Sequence, residues 1–455
     1  MLMPRTGSDV QITVDRLAYG GRGVGRLDGL VVFVTGGVPG DVVRARIGRV
    51  RRAFAEAQIV EVATPSPDRV APRCPHFGSC GGCAWQHIDY ASQARAKEAI
   101  VRESLVRLGG LTEARVLPIV QADPWYYRNK MEFSFHPDGT LGLHHRGDWN
   151  RIVPIETCFL QSPVSVEIVR AVRETTRRHG IAPYDPCTHT GMLRSLVIRE
   201  GRRTGDRLVG LITSEGPLPG IGALVDAVRG AAPDVTGVVR GIAVGASDGA
   251  PVVRTETLHG RPYLAEELAG LRFRIGLEAF FQTNTVQAER MVEYAVVRIA
   301  PPAGRLAVDL YCGVGTFALA LARAGARVVG IELAPAAIDA ARANAALNGI
   351  DGATFLAGDA RVLLPRVVAE HGAPDVVLLD PPRAGAGGKV MRKIGRAGPR
   401  RVVYVSCNPT TLAPDLKELL PFGYRLVDVQ PFDLFPQSYH VEAVAVLDRV
   451  QEASP

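Results

Sequence analysis

Asp309-Leu310-Tyr311-Cys312-Gly313-Val314-Gly315-Thr316 closes an apolar run that starts at Arg305 and leads into the alanine-rich stretch Phe317 to Ala324. A strand ending in an acid, followed by two glycines that open a helix, is the pattern of a nucleotide-type cofactor loop at a sheet edge. The glycines permit close backbone approach, and the acid can hold an amino group. Glu332 ends the next apolar run, where a carboxylate suits a ribose diol, and Asp359 follows the third, placed to meet an adenine edge. The loop carries Gly-x-Gly but has Ala318 where a dinucleotide fingerprint needs its last glycine. That favours S-adenosylmethionine over NAD. Tight turns without a ligand are the alternative reading.

From about residue 271 the pattern alternates strand and helix. Candidate strands are Arg305 to Leu310, Arg327 to Ile331, Ala353 to Leu356, Asp375 to Leu379, Arg401 to Ser406, Tyr424 to Gln430 and Val441 to Leu447. Alternation of this kind predicts an α/β, Rossmann-like sheet of seven strands with helices on both faces. Only a loop joins the last two strands, so they should pair antiparallel. Residues 115 to 270 mix strands with helices and read as a central α/β domain. Residues 1–63 show short alternating strands with glycine turns, the mark of an OB-like β-barrel. Within it Arg44 to Arg52 holds five arginines, read as an RNA-backbone patch with a solvated strand face as the alternative.

The 455 residues are 47% hydrophobic and 22% charged, the balance of an ordinary globular protein. The amino terminus is polar rather than signal-like, and no apolar run approaches the ~18 residues of a spanning helix. A cytoplasmic monomer without membrane contact is expected. The net charge of +7 raises the odds of a polyanionic partner. Seven cysteines, at 74, 80, 83, 158, 187, 312 and 407, point to metal or catalysis rather than disulfides.

Cys407 stands in Val405-Ser406-Cys407-Asn408-Pro409, at the carboxyl edge of the fifth strand. Asp380-Pro381-Pro382-Arg383 ends the fourth, where two prolines stiffen the loop and hold Asp380 at the sheet edge. His440-Val441-Glu442 supplies a candidate base. These groups fit one chemistry. C5 of a uracil is a poor nucleophile until a thiolate adds at C6 and makes the ring an enolate. A base must then remove the C5 proton before the thiolate is expelled. Cys407 would attack and Glu442 would abstract, while Asp380 and Gln282 place the methyl donor and the base. An edge-strand carboxylate is the alternative reading of Glu442, and a small core residue that of Cys407.

These residues resemble the RNA uracil-C5 methyltransferases, specifically the branch acting on 23S ribosomal RNA. The resemblance covers essentially the whole chain and rests on Ser406 to Pro409, Asp380 to Arg383, His440 to Glu442 and Phe280-Phe281-Gln282-Thr283-Asn284. It implies S-adenosylmethionine contacts from Gln282, Tyr311, Glu332 and Asp380, with Thr316 and Asp359 beside them. It implies Cys407 as nucleophile, Glu442 as base and an RNA-binding TRAM domain in the barrel. The expected units are residues 1–63 (TRAM), 70–270 (central α/β with the cysteines) and 271–450 (methyltransferase). A transfer-RNA uridine substrate is the alternative within the family. A cytosine-C5 enzyme would resemble this chain less, since Pro381-Pro382 lacks the thiol expected there. Pro414 stands where the family tends to have Arg, and Ser438 where Thr is usual.

Cys74, Cys80 and Cys83 follow a C-x5-C-x2-C spacing, with Cys158 distant. Thiolates suit zinc or iron–sulfur, and spacing leaves both open. The resemblance implies a [4Fe–4S] cluster on these four. Tyr127-Arg128-Asn129-Lys130 is read either as an RNA contact or as a solvated strand end.

Overall fold

The computed structural model describes residues 4–247, 250–300 and 303–450, so the first three residues of the expected barrel unit lie outside them. Strands β1 (Asp9–Leu17), β2 (Gly23–Leu27), β3 (Leu30–Thr35), β4 (Val42–Val50) and β5 (Phe54–Thr64) close a barrel in the order β1-β2-β3-β5-β4. Alternation does the sorting: β4 turns Val43, Ala45 and Ile47 into the core and Arg44 and Arg46 outward. Those two arginines are held by Asp9 and Glu61, whereas Arg49, Arg51 and Arg52 remain exposed.

Helix α1 (Tyr90–Gly109) begins at Asp89, whose carboxylate accepts from the Ser92 amide, and ends at the left-handed Gly110. The central sheet follows, from β6 (Lys130–Phe135), β7 (Leu141–His145), β8 (Asp148–Pro154), β9 (Leu193–Glu200), β10 (Arg207–Thr213), β11 (Gly237–Ala243) and β12 (Val252–Gly260). Its order is β12-β11-β10-β9-β6-β7-β8, antiparallel except for β10 with β11. Helices α2 (Pro163–Arg178) and α3 (Ile221–Ala231) cover one face through Ile168, Val172, Leu224 and Val228. The opposite face, through Val197, Leu208 and Val239, shares its core with the carboxyl-terminal half.

A hairpin, β13 (Tyr263–Leu268) and β14 (Leu271–Gly276), leads to α4 (Thr285–Ile299) and then to β15 (Leu306–Leu310), α5 (Thr316–Arg323), β16 (Arg327–Glu332), α6 (Pro335–Leu347), β17 (Ala353–Ala357), α7 (Ala360–His371), β18 (Val376–Leu379), α8 (Gly388–Ala397), β19 (Arg401–Ser406), α9 (Pro409–Lys417), β20 (Tyr424–Phe432) and β21 (Glu442–Arg449). The sheet order is β17-β16-β15-β18-β19-β21-β20, with five parallel strands and β21 antiparallel to both neighbours. The seven-stranded expectation and the antiparallel last pair are both met. The central strands β15 and β18 are buried on both faces, as doubly covered sheets require. Helices α4, α5 and α6 pack on one side. On the other lie α7, α8, α9 and also α1, whose Val101 and Leu105 join Leu412 and Leu416. No helix among the described residues is long and apolar enough to cross a membrane.

Candidate active site

The carboxyl ends of β15, β16, β18 and β19 meet in one cleft, beside the amino end of β21. Each parallel strand hands over to a helix there, so backbone amides converge where side chains of different loops meet. Tyr311 takes φ +65°, a costly conformation for an aromatic residue, with its amide donating to Ile331 O at 2.8 Å. Gly313 and Gly315 follow at φ +52° and +93°, and a Cβ on Gly313 would meet nothing within 4 Å. Glu332 closes this loop, its Oε2 accepting from the Gly313 amide at 3.3 Å and its Oε1 from Ala334 at 3.0 Å.

Asp309 is fully buried, and neither of its carboxylate oxygens has a well-formed hydrogen bond, although the Ala318 amide approaches it. Burial first, and then the neighbouring Asp380 carboxylate, push its pKa well above the ordinary range. A buried acid so weakly bonded, under a glycine loop with open space, fits a cationic ligand such as an amino-acid ammonium. Thr316 opens α5 at the mouth of this loop. Asp359 is already engaged: it caps α7 by accepting from the Arg361 amide at 2.7 Å and pairs with the Arg361 guanidinium. Its pKa is lowered by that arginine.

Asp380 follows β18, and Gln282 Nε2 donates to its Oδ2 at 3.2 Å. Burial pushes the Asp380 carboxyl up to about 7, with the Gln282 amide opposing. Gln282 is itself positioned from the central sheet, since Asn129 Nδ2 donates to Gln282 O at 2.8 Å and to Thr285 Oγ1 at 2.9 Å. Tyr127 Oη donates to Pro436 O at 3.0 Å. Of the Tyr127 to Lys130 string, Tyr127 and Asn129 are therefore buried struts between domains, while Arg128 and Lys130 are half-buried.

Cys407 sits between β19 and the α9 cap, where Asn408 Oδ1 accepts from the Thr410 amide and Pro409 begins the helix. The thiol is half-buried rather than open. Asn408 Nδ2 donates to Arg383 O at 3.0 Å, binding the Cys407 loop to the Asp380 loop. Ladder pairing of Ser406 with Ala443 sets Cys407 opposite Glu442 one step further on. Glu442 is only 3% exposed and its strand is interior, which corrects the edge-strand alternative. Desolvation, followed by the charge of Asp380, raises its pKa well above the carboxylate range. Burial, then Glu442 and Asp380, push the Cys407 thiol up to about 12, while Arg383 pulls it down.

Arg383 was legible in the sequence only as a motif end. Its guanidinium lies 2.9 Å from His440 Nδ1 and beside Tyr19 of the barrel. Burial and that arginine lower the His440 pKa to about 4, so its imidazole is neutral. Lys97 was not anticipated at all: it donates to Asp433 Oδ1 at 2.6 Å with both side chains fully buried. Gln93 Nε2 donates to Gln437 Oε1, and the Ala84 and Trp85 amides donate to Gln437 O. The turn before Glu442 is thus held by α1 and by the cysteine loop. No local pattern marks these residues, whose partners stand 336 and 344 positions away.

Cys74, Cys80, Cys83 and Cys158 line one small cavity, remote in sequence but joined in space. Gln86 Oε1 accepts from the Cys74 amide and its Nε2 donates to Cys83 Sγ at 3.2 Å, while the Gly82 amide donates to Cys80 Sγ at 3.3 Å. Among the described residues no three His, Cys, Asp or Glu side chains are close enough to hold a single metal ion.

Residues 258–450 match the family described as tRNA (Uracil-5-)-methyltransferase, and residues 5–60 match the TRAM domain. The chain is 41% identical over 449 residues to a Gloeobacter violaceus protein described as an uncharacterized RNA methyltransferase, with 97% of each covered. It is 35% identical over 442 residues to another so described from Halalkalibacterium halodurans, with 96% of each covered. The crystal structure of Pyrococcus abyssi tRNA (uracil-54, C5)-methyltransferase in complex with S-adenosyl-L-homocysteine is similar at TM-score 0.76 and 29% identity, over 96% of this chain and 100% of that one.

Proposed function

Because this chain belongs to the RNA (uracil-5)-methyltransferase family, we propose that it methylates C5 of a uridine in 23S ribosomal RNA through a covalent bond from Cys407 Sγ to C6. The observation that carries this reading is the β19–β21 ladder, which brings Glu442 across from Cys407 at the mouth of the cofactor loop. S-adenosylmethionine, when bound, supplies the electrophilic methyl group. Gln282, Tyr311, Glu332 and Asp380, with Thr316 and Asp359, form its pocket, and Asp309 faces its positive end.

Cys407 must ionise to attack. Arg383 favours the thiolate, as does the amino end of α9, against burial and two nearby carboxyls. The S–C6 bond moves an electron pair to C5, which takes the methyl group as S-adenosylhomocysteine leaves. Glu442 then accepts the C5 proton, the 5,6 double bond returns, and the thiolate departs. A carboxyl whose pKa is raised by burial is a stronger base once ionised. Glu442 is the one placed for that work.

Four thiols facing one cavity are the donor set of a [4Fe–4S] cluster. Bound there, such a cluster would tie the Cys74 to Cys83 loop to Cys158. Cys74, Cys80, Cys83 and Cys158 would hold it. Anaerobic purification should give a brown protein with about four irons per chain; a colourless protein with stoichiometric zinc would replace this assignment.

The units proposed are 1–63, 70–270 and 271–450, working as a cytoplasmic monomer, with α1 lending its packing to the last of them. A transfer-RNA uridine is the second reading, favoured by the likeness to the Pyrococcus abyssi enzyme. Mass-spectrometric mapping of 5-methyluridine, with and without the gene, separates the two. A site lost from 23S RNA supports the first, a site lost from tRNA the second, and no lost site defeats both.

A further inference from the structure

A cavity of about 560 Å³ lies between the barrel and the central sheet, away from the cofactor loop, with Arg22, Arg128, His145, Arg146, Trp149 and Tyr439 in its wall. Its chemistry is uneven. Trp149 is 65% exposed, although it is among the largest apolar side chains in the protein. One face of its indole lies on the His144 ring at 3.7 Å and 11°. That imidazole is held at both nitrogens, Nε2 by Ser134 Oγ at 3.0 Å and Nδ1 by Trp149 O at 2.8 Å. The pair is therefore a fixed platform with its outer face turned to solvent.

The surrounding polar groups favour an anionic, acceptor-rich ligand. Arg22, Arg128 and Arg146 contribute three guanidinium groups, Arg22 also pairing with Glu56 at 2.8 Å and Arg146 donating to Cys83 O at 2.9 Å, against one lining carboxylate, Glu132, which accepts from Ser195 Oγ. Buried Arg128 Nε and His145 Nδ1 have no hydrogen-bond partner. Aromatic faces among arginines are how single-stranded nucleic acid is held, because every base has a π-face and every nucleotide a phosphate.

The cavity wall also touches side chains that lead towards Cys407. Tyr439, in its wall, lies 4.2 Å from the His440 ring and 5.6 Å from Tyr19. His440 is bonded in turn to Arg383. Gly21 makes room for this contact, since a Cβ there would come within 2.8 Å of the Tyr439 ring.

We propose that this cavity is a second base pocket, in which an unpaired nucleobase flanking the target uridine stacks on Trp149 while its phosphates lie beside Arg22 and Arg146. The proposal rests on RNA being the substrate and deepens that reading. RNA would then be gripped at two splayed bases, one for chemistry and one for register.

The test uses the full-length protein, a fluorescein-labelled single-stranded oligoribonucleotide and an unmethylated 23S transcript. Trp149→Ala should weaken oligoribonucleotide binding about tenfold and raise KM for the transcript similarly, with kcat held. Trp149→Phe should restore most of the affinity. RNA should quench tryptophan emission in the wild type, and Trp149→Ala should lose that quench although Trp85 and Trp125 remain. Transcripts carrying one abasic nucleotide near the target should show a single position that reproduces the defect, with no further loss in Trp149→Ala. Unchanged affinity and quench in Trp149→Ala, or a Phe variant as weak as Ala, overturns the pocket. Absence of methylation by the wild type would defeat the functional reading instead, while the quench would still report on Trp149.

Discussion

At Cys407 the environment works against the charge the proposed reaction needs. Glu442 and Asp380 both oppose a thiolate, and Arg383 is the cation that offsets them. Replacing Cys407 by Ala should abolish methylation and leave RNA binding, as measured by methyl incorporation and by filter retention. Glu442→Gln should let methyl transfer proceed and stall elimination, so a protein–RNA adduct should survive a denaturing gel. An adduct absent from that gel would remove Glu442 from the role of base. The carboxyls also impose a pH dependence on the fold. Asp380 titrates near 7 when folded and near 3.9 when unfolded. Its neutral form is favoured by the fold, so the stability present below about pH 4 is lost as pH rises towards 7. Asp380→Asn should flatten that fall and be the more stable protein at pH 8, by at most about 4 kcal/mol. Partial exposure of Asp380 trims the figure. Urea melts at pH 5 and pH 8 read the difference, and a variant less stable at pH 8 would contradict the sign.

Among elements, the join of β19 to α9 shows why so short a string carried so much information. Asn408 caps the helix and also donates to Arg383 O, so it fixes both loops of the cleft. Asn408→Ala should cost about 1 kcal/mol of stability and lower kcat more than KM, as thermal melting and steady-state rates would show. The parallel strands and the glycine loop after β15 could be read from the chain because their signals are local: runs of apolar residues, glycines at positive φ, and proline after a cap; the order of the strands in the sheet was not. The arginine run of β4 was half legible. Its five positively charged positions were plain, but only the fold reveals that Arg44 and Arg46 are already paired with Asp9 and Glu61. Asp359 likewise looked like a cofactor contact and also serves as the cap of α7. What stayed hidden was distant pairing, including the two residues that brace the turn before Glu442. The joining of Cys158 to Cys74, Cys80 and Cys83 is of the same kind, since spacing alone leaves a remote cysteine unattached.

For the whole molecule, the Lys97–Asp433 pair is the test of how the parts depend on one another. Both groups are withdrawn from water, and the bond crosses from α1 to the turn that precedes Glu442. Lys97→Ala leaves a carboxylate stranded and should cost about 3–5 kcal/mol. Lys97→Met with Asp433→Leu should recover most of that in urea denaturation, because an apolar pair of similar volume removes the stranded charge. A single variant as stable as the wild type would show that water reaches the site. The barrel side joins the same arrangement through Tyr19, whose ring meets Tyr439 edge-on beside His440.

Helix α1 is made early in the chain, yet Val101 and Leu105 find their neighbours in α9, near its end. At a ribosome's pace of about 5–20 residues per second, the apolar flank of this helix waits for tens of seconds before its seat exists. Nascent chains must therefore carry an uncovered greasy surface through most of their synthesis. Polypeptides halted before Pro409 should be recovered with chaperones or in inclusion bodies, not as a free-standing amino-terminal half.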